Sequence, residues 1–284
     1  MTKSTGLGSK IFDGVNITLL VLFSLMSFLP FLYVVVSSFS TSSSVMPSGF
    51  SVEAYRYIFS ASTFTKSLQV SIFITVVGTA FQLVMTSLMA YSLSHRQLPG
   101  RNAVLLMVLF TMLFSGGMIP TYFVVKATGL LDSLAALIIP SAISAFNLII
   151  LKNFFQSIPE ELKESAKIDG SHELGILFRI VLPLSLPAMA TFALFYAVGI
   201  WNQYFNAILY LNDAAKYPVQ VILRQVIILT SGSIGDTTEI ENMTYYGNSI
   251  KMAVIVIATV PIMIVYPFLQ KHFAKGVMLG SVKG

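Results

Sequence analysis

One stretch of this chain has residue types and spacing suited to a job other than packing. It runs from Lys152 to Pro183 and reads KNFFQSIPEELKESAKIDGSHELGILFRIVLP. Its first half carries helix signals. Ser157, with Glu160 three residues on, has the pattern of a capping box. Pro159 suits a first turn, where its missing N–H costs nothing. Glu160 and Glu161 stand at the positive end of the helix dipole, and Gly170 is a natural stop. Leu162, Ser165 and Ala166 form a small apolar patch, and Glu164 and Lys167 are spaced to pair. A second amphipathic piece follows, with Leu174, Leu177 and Phe178 on one side. Pro183 then marks entry to a new apolar run. The work this suggests is mechanical. A short capped helix with small residues can seat in a groove on a soluble partner and transmit a push. The plain alternative is a connector lying on lipid headgroups.

Other chemistry is poorly served. The chain has no cysteine, which excludes disulfides and thiolate metal sites. His95, His172 and His272 lie far apart and form no metal-like cluster. No catalytic or metal residue is expected. A G-x-x-x-x-G-K-[ST] phosphate loop is missing; the nearest fragment, Gly6-Leu7-Gly8-Ser9-Lys10, has the wrong spacing and precedes no strand. If nucleotide energy is used, another subunit must bind the nucleotide.

The elements around the polar stretch are apolar. Hydrophobic residues make up 55% of the 284, and charged residues 10%, against about a quarter charged in a soluble domain. So much apolar surface must face lipid. The fold class expected is an all-α polytopic membrane protein with six transmembrane helices. The spans fall near Ile17–Phe39, Leu68–Leu93, Ala103–Val125, Leu134–Leu151, Leu184–Leu211 and Lys251–Leu269. The third contains Gly116, Gly117 and Pro120, and the fifth Pro187, breaks tolerated where a neighbouring helix or cavity satisfies the freed backbone. The first run is too long for a signal peptide, and no small-residue cleavage pattern closely follows it.

Six spans put both termini on one side. Eleven of the seventeen Lys and Arg fall there and six opposite, while the twelve Asp and Glu divide evenly. Both termini are therefore expected in the cytoplasm, and the net charge of +5 resides on that side. Spread over short loops, it does not suit nucleic acid. The resulting division is a tail over 1–14, a first helix over 15–39, an outer loop over 40–67, a five-helix core over 68–270 that includes the cytoplasmic loop 152–183, and a tail over 271–284. Within the last outer loop, Tyr217–Leu229 is too short to span and reads as interfacial or re-entrant.

The loop also matches a known pattern. E-A-A-x(3)-G-x(9)-I-x-L-P falls on Glu164, Ser165, Ala166, Gly170, Ile180, Leu182 and Pro183 with every spacing kept and Ser165 in place of the second-position Ala. In this the chain resembles the permease subunits of ATP-binding-cassette (ABC) importers, and ELKESAKIDG with RIVLPLSLP resembles their carbohydrate, maltose-permease-like branch. WNQYFNAILYL is similar to that branch's W-N-E-F/Y segment, with Gln203 replacing the usual acid. KGVMLGSVKG is similar to the branch's Lys-Gly tail, and FSGGMIPTYFVVKATGLLD resembles a subgroup of lipoprotein-associated and polygalacturonan-type oligosaccharide permeases. The likeness covers about Val15 to Gly284.

The resemblance implies a type I ABC importer permease fold in the bacterial cytoplasmic membrane. It implies a second homologous permease, two ATPase subunits that bind ATP and Mg, and an extracytoplasmic solute-binding protein. Apart from surrounding lipid no further partner is implied, and this chain holds no cofactor. Glu164, Ser165, Ala166, Lys167, Asp169 and Gly170 would contact an ATPase. So would Lys275, Gly276, Gly280 and Lys283 of the tail, unless that tail is a disordered basic end held by anionic lipid. Trp201, Asn202, Gln203, Tyr204 and Asn206 could line a sugar path, with Asn202 and Asn206 on one helical face and Trp201 and Phe205 on one face. They could equally be an aromatic belt and interhelical hydrogen bonds. Gln82, Ser115, Tyr122 and Asn147 read rather as interhelical polar contacts. The rival transport reading is an ion-coupled secondary transporter, but the spans carry few ionisable residues and no repeat is visible.

Overall fold

The computed structural model describes residues 7–41, 46–230 and 240–280, with side chains described over 8–41, 46–228 and 247–267. Every regular element among them is helical. In chain order these are α1 (Leu7–Ser38), α2 (Glu53–Ser60), α3 (Ser62–Ser94), α4 (Arg101–Leu113), α5 (Met118–Ala127), α6 (Ala145–Ser157), α7 (Glu160–Ile168), α8 (Glu173–Leu184), α9 (Leu186–Trp201), α10 (Phe205–Tyr210), α11 (Val219–Thr230) and α12 (Ile240–Gly280). Short 3-10 turns cover Leu134–Leu137, Ile139–Ser141 and Ala214–Lys216.

Two compact units divide the chain: Met1–Ala61 with Leu223–Thr259, and Ser62–Ile222 with Val260–Gly284. In the first, α1 has 32 residues, or roughly 48 Å at 1.5 Å per residue, enough to cross a bilayer with tilt. Its long apolar side chains, Phe23 and Met26 among them, are exposed, as lipid-facing residues must be. At its end Phe39 stacks on Phe50 and Tyr55, and Ser38 shares a 2.7 Å hydrogen bond with the Tyr55 hydroxyl.

The second unit is built on α3, which packs along α6 and α9. One core cluster joins Ala90, Tyr91 and Leu93 of α3 to Leu148, Leu151 and Phe155 of α6, Ile176, Leu177 and Val181 of α8, and Phe192 and Tyr196 of α9. Thr86 and Tyr196 share a buried 2.7 Å hydrogen bond there. A second cluster gathers Ile74, Val125, Leu137, Ile138, Ile200, Tyr210 and Val221. Gly78 lies where α3, the 3-10 turns and α9 converge. A Cβ at this position would stand 2.7 Å from Ile200 Cδ1 and 3.3 Å from Ile138 Cγ1, so any larger residue would have to displace both isoleucine side chains.

The apolar stretches do not all become single rods. Among the described residues three helices, Gly8–Ser38, Ser62–Ser94 and Gly247–Pro267, are long and apolar enough to cross a membrane, and counting each of two bent pairs as one span gives up to five. The third expected span splits into α4 and α5, with Phe114 extended and Gly117 at φ +83°. The fourth is not one helix. Pro140 keeps its first part in 3-10 turns, Ser144 caps α6 by accepting from Asn147 N, and the two parts bend by 52°. In the fifth, the chain turns by 86° between α8 and α9. The turn comes at Ser185, two residues after Pro183. Ser185 is wholly buried and its hydroxyl donates to Val181 O at 2.6 Å.

Candidate functional site

The backbone of α7 shows why the motif residues sit as they do. Its end is a full Schellman closure. Gly170 adopts φ +80°, its N–H bonds Lys167 O at 3.0 Å, and Ser171 N–H bonds Ala166 O at 2.9 Å. A Cβ at Gly170 would meet nothing within 4 Å, so the requirement is conformational rather than steric. The start differs from the expected capping box. Ser157 is the last residue of α6, and its hydroxyl donates back to Phe154 O at 2.7 Å. Pro159 itself holds the N-cap position, without a side-chain cap bond. Only Ile158 and Pro159 separate the two helices, so Ser157 closes one instead of opening the next.

The faces of α7 then separate. Glu161, Glu164, Ser165 and Ile168 share the outward side, with Leu162 at its border, and all five are exposed; Ile168 is 87% so. Lys163 and Ala166 point inward and are buried. Lys163 spans the junction to α6, with its Nζ 3.4 Å from Phe155 O and 3.3 Å from Glu160 Oε2. Phe155 O is among the carbonyls that end α6 without an intrahelical partner, and a cation suits that negative helix end. Of the motif residues, Ala166 therefore packs while Glu164 and Ser165 face out.

Lys167 does not pair with Glu164. It reaches Glu173 of α8 at 2.7 Å. The hydrogen bond to Glu173 holds its ammonium pKa above the ordinary lysine value. The face expected of the second amphipathic piece is also shifted. Ile176, Leu177 and Val181 are buried, whereas Leu174 and Phe178 are each 53% exposed. The wide π-turns over Leu177–Val181 rotate the later side chains relative to a regular helix. Sequence reasoning missed Ile168, Lys163 and Glu173. The helical position of Ile168, beside Glu164 and Ser165, was a usable signal; the partners of the other two lie on different elements.

The Trp201–Asn206 group is not one helical face. Helix α9 ends at Trp201, and Asn202 closes it by donating its side-chain amide to Val198 O at 2.9 Å. Trp201 is buried beside a mostly apolar cleft of about 160 Å³ shared with Ile72, Thr75, Val76 and Val198. The Gln203 amide donates to Leu137 O at 3.0 Å. Gln82 of α3 donates to Ser141 O and Oγ, both at 2.9 Å. Two glutamines thus bond the carbonyls left open by the 3-10 turns. Tyr204 is half-buried, and Asn206 is exposed at the start of α10. The backbone at Lys275, Gly276 and Gly280 is helical, but their side chains, and Lys283 altogether, lie outside the described residues.

At the other end of α3 a clasp closes the loops. Asp132, at φ +55°, accepts Asn212 N–H and Asp213 N–H at 3.1 and 3.0 Å, and Lys216 Nζ lies 2.9 Å from its Oδ2. These bonds, Lys216 first, hold the Asp132 carboxyl pKa down to about 2.

Long apolar helices, bends held by buried amides, and a polar helix with an exposed face are the build of a helical membrane protein with one polar connecting helix. The chain belongs to the binding-protein-dependent transport system inner membrane components, whose family model matches residues 102–279. It is 58% identical to the polygalacturonan/rhamnogalacturonan transport system permease protein YtcP of Bacillus subtilis (strain 168), over 97% of this chain and 99% of that protein. It is 56% identical to protein LplC of the same organism, over 97% and 96%. Its fold matches a chain from the crystal structure of a bacterial ABC transporter involved in the import of the acidic polysaccharide alginate. The TM-score is 0.89 with 33% identity, covering 96% of this chain and all of the other. Family membership sets aside the ion-coupled alternative.

Proposed function

We propose that the chain is a permease subunit of an ATP-driven, binding-protein-dependent oligosaccharide importer, and that its substrate is an acidic oligosaccharide of the uronic-acid class. In this reading the chain crosses the membrane six times, with α4–α5 as one broken passage and both termini cytoplasmic. A second permease completes the path, two partner subunits bind ATP and Mg, and a solute-binding protein delivers the sugar. The outward face of α7 seats in an ATPase subunit through Glu164, Ser165 and Ile168. Lys167, Asp169 and Gly170 fix its end, and Ala166 and Lys163 hold its inner face. ATP-driven closure of the ATPase pair then pushes α7 and shifts the permease between two packed states. The tail residues Lys275, Gly276, Gly280 and Lys283 are assigned a second ATPase contact. Trp201, Asn202, Gln203, Tyr204 and Asn206 are placed along the sugar path, where Asn202 and Gln203 shape the backbone and Asn206 offers an exposed amide.

The observation that carries this reading is a helix closed by a Schellman turn and tied by Lys163 and Lys167, whose outward face holds Glu164 and Ser165 of the motif. The acidic substrate rests on the cargoes stated for the YtcP permease and for the solved importer. The test is expression with the neighbouring genes, purification and reconstitution. An ATPase and a second permease should co-purify, and an oligogalacturonide delivered by the binding protein should enter vesicles in an ATP-dependent way while a neutral maltooligosaccharide does not. Purification without any ATPase would refute the docking reading; preferential uptake of the neutral sugar would refute the substrate class alone.

A further inference from the structure

Glu173 opens α8, yet both of its carboxylate oxygens are committed elsewhere. Oε1 takes the Lys167 ammonium of α7 at 2.7 Å. Oε2 accepts the Tyr91 hydroxyl of α3 at 2.7 Å. His95 of α3 lies alongside, its Nε2 3.7 Å from Oε2, its Nδ1 3.0 Å from Tyr91 O, and its ring edge-on to that of Tyr91 at 4.7 Å. Tyr91 is 5% exposed within the core, so its hydroxyl is a fixed point on a 33-residue helix.

The two side chains of the ion pair are about half-exposed, 44% for Lys167 and 54% for Glu173. A pair so open to water adds little stability. What it adds is geometry. One carboxylate between an ammonium and a phenol forms two charge-assisted hydrogen bonds with fixed direction. The C-terminal end of α7 cannot shift against α3 without stretching one of them. At its other end α7 is tied to α6 by Lys163. A push on the exposed face therefore has two polar exits, one through Lys163 to α6 and one through Glu173 straight to the long central helix.

We propose that Glu173 is the positioning residue that links the docking helix α7 to helix α3, by holding Lys167 and Tyr91 at once, so that displacement of α7 moves α3. The inference rests on the reading of α7 as the ATPase-docking helix. Lys167 suits the role chemically, because its ammonium meets the Glu173 carboxylate directly at 2.7 Å.

The test uses the complete reconstituted importer and measures sugar moved per ATP hydrolysed. Glu173→Ala should lower that ratio about fivefold or more, the low end of ordinary coupling energies. Tyr91→Phe should lower it too, and should add nothing on top of Glu173→Ala. Lys167→Glu should uncouple, and the reversed pair Lys167→Glu with Glu173→Lys should recover part of the loss. A merely structural tie would change the yield of assembled complex but not the ratio, nor would it be rescued by charge reversal. If Glu173→Ala does not assemble, Glu173→Gln, which keeps shape and the Tyr91 bond while losing the ion pair, is read in its place and should still lower the ratio. An unchanged ratio in an assembled Glu173 variant, or no recovery in the reversed pair, overturns the link. Failure of the wild-type chain to bring down an ATPase is a separate result and removes the docking reading instead.

Discussion

Around α7 the fastening is ionic, whereas at the break before α6 it is made by neutral amides. Lys163, Lys167 and Glu173 hold a polar helix whose outer face is open. Gln82 and Gln203 hold the carbonyls of Ser141 and Leu137 inside an apolar bundle. The difference follows from solvation. A charge near water keeps part of its hydration and can pair at little net cost, but the same charge in hydrocarbon loses several kcal/mol unless fully paired. An amide carries donors enough to satisfy a freed carbonyl without that penalty. The molecule uses charge where a partner is expected to bind and amides where lipid and protein exclude water.

Exchanging the two chemistries should give the largest effects. Lys163 is the one ionic group in this comparison that is itself buried, at 2% exposure. Lys163→Glu would place a carboxylate against the Phe155 carbonyl and beside Glu160. A loss above the about 1–3 kcal/mol that a neutral unsatisfied group costs is expected, because a charged group is left buried against a carbonyl, visible as a fall in thermal stability of the purified chain in detergent. If the variant unfolds at the wild-type temperature, Lys163 is not seated as described.

Gln82→Leu is the next test. It strips two hydrogen bonds from Ser141 and leaves a carbonyl open in apolar surroundings, for an expected loss of about 1–3 kcal/mol. Gln82→Glu should not recover this, because a carboxylate lacks the donors that the Ser141 carbonyl needs and adds a charge. Should Gln82→Glu prove as stable as wild type, the break is wetter than the neutral-amide account allows.

How far these two regions were legible in the sequence follows the same physics. The end of α7 was readable because Gly170 and the residues before it are local signals. Its start was misread because Ser157 serves α6, and its ion pair because Glu173 arrives from the next helix and outcompetes Glu164. The 3-10 turns around Pro140 were hidden within a run that looks uniformly apolar. The π-turns over Leu177–Val181 carry no residue signature, and within them Leu177 and Val181 are buried while Phe178 is exposed. The helical faces expected to pair Asn202 with Asn206 and Trp201 with Phe205 failed because Asn202 caps a helix that the hydropathy pattern continues. Short-range signals survive in sequence; partners set by packing do not.

Gly170 allows a finer test of that local signal. Because a Cβ there has open space, Gly170→Ala should cost about 1 kcal/mol from the positive φ alone, and Gly170→Asn less, since Asn tolerates the left-handed region. Gly170→Pro cannot adopt φ +80° and removes the N–H bonded to Lys167 O, so it should abolish coupled transport. Equal transport and stability for all three would show that the Schellman closure does not set the α7 exit.

The smallest effect is expected at Asp132, whose exposed ionic clasp stands at the opposite end of α3 from α7. Asn can keep the φ of +55°, so Asp132→Asn tests the charge with little change in backbone. The folded carboxyl pKa is depressed, to about 2. A depressed acid contributes stability fully above its unfolded pKa, near 4, and loses that contribution as pH falls through the folded value. Between pH 7 and pH 5 the small difference in unfolding temperature between wild type and Asp132→Asn should therefore stay constant, and it should close only as the pH is taken from about 4 toward 2. A difference that already closes between pH 7 and 5 would mean that Lys216 and the two backbone N–H groups do not hold the carboxylate, and that ionic fastening belongs to the α7 end alone.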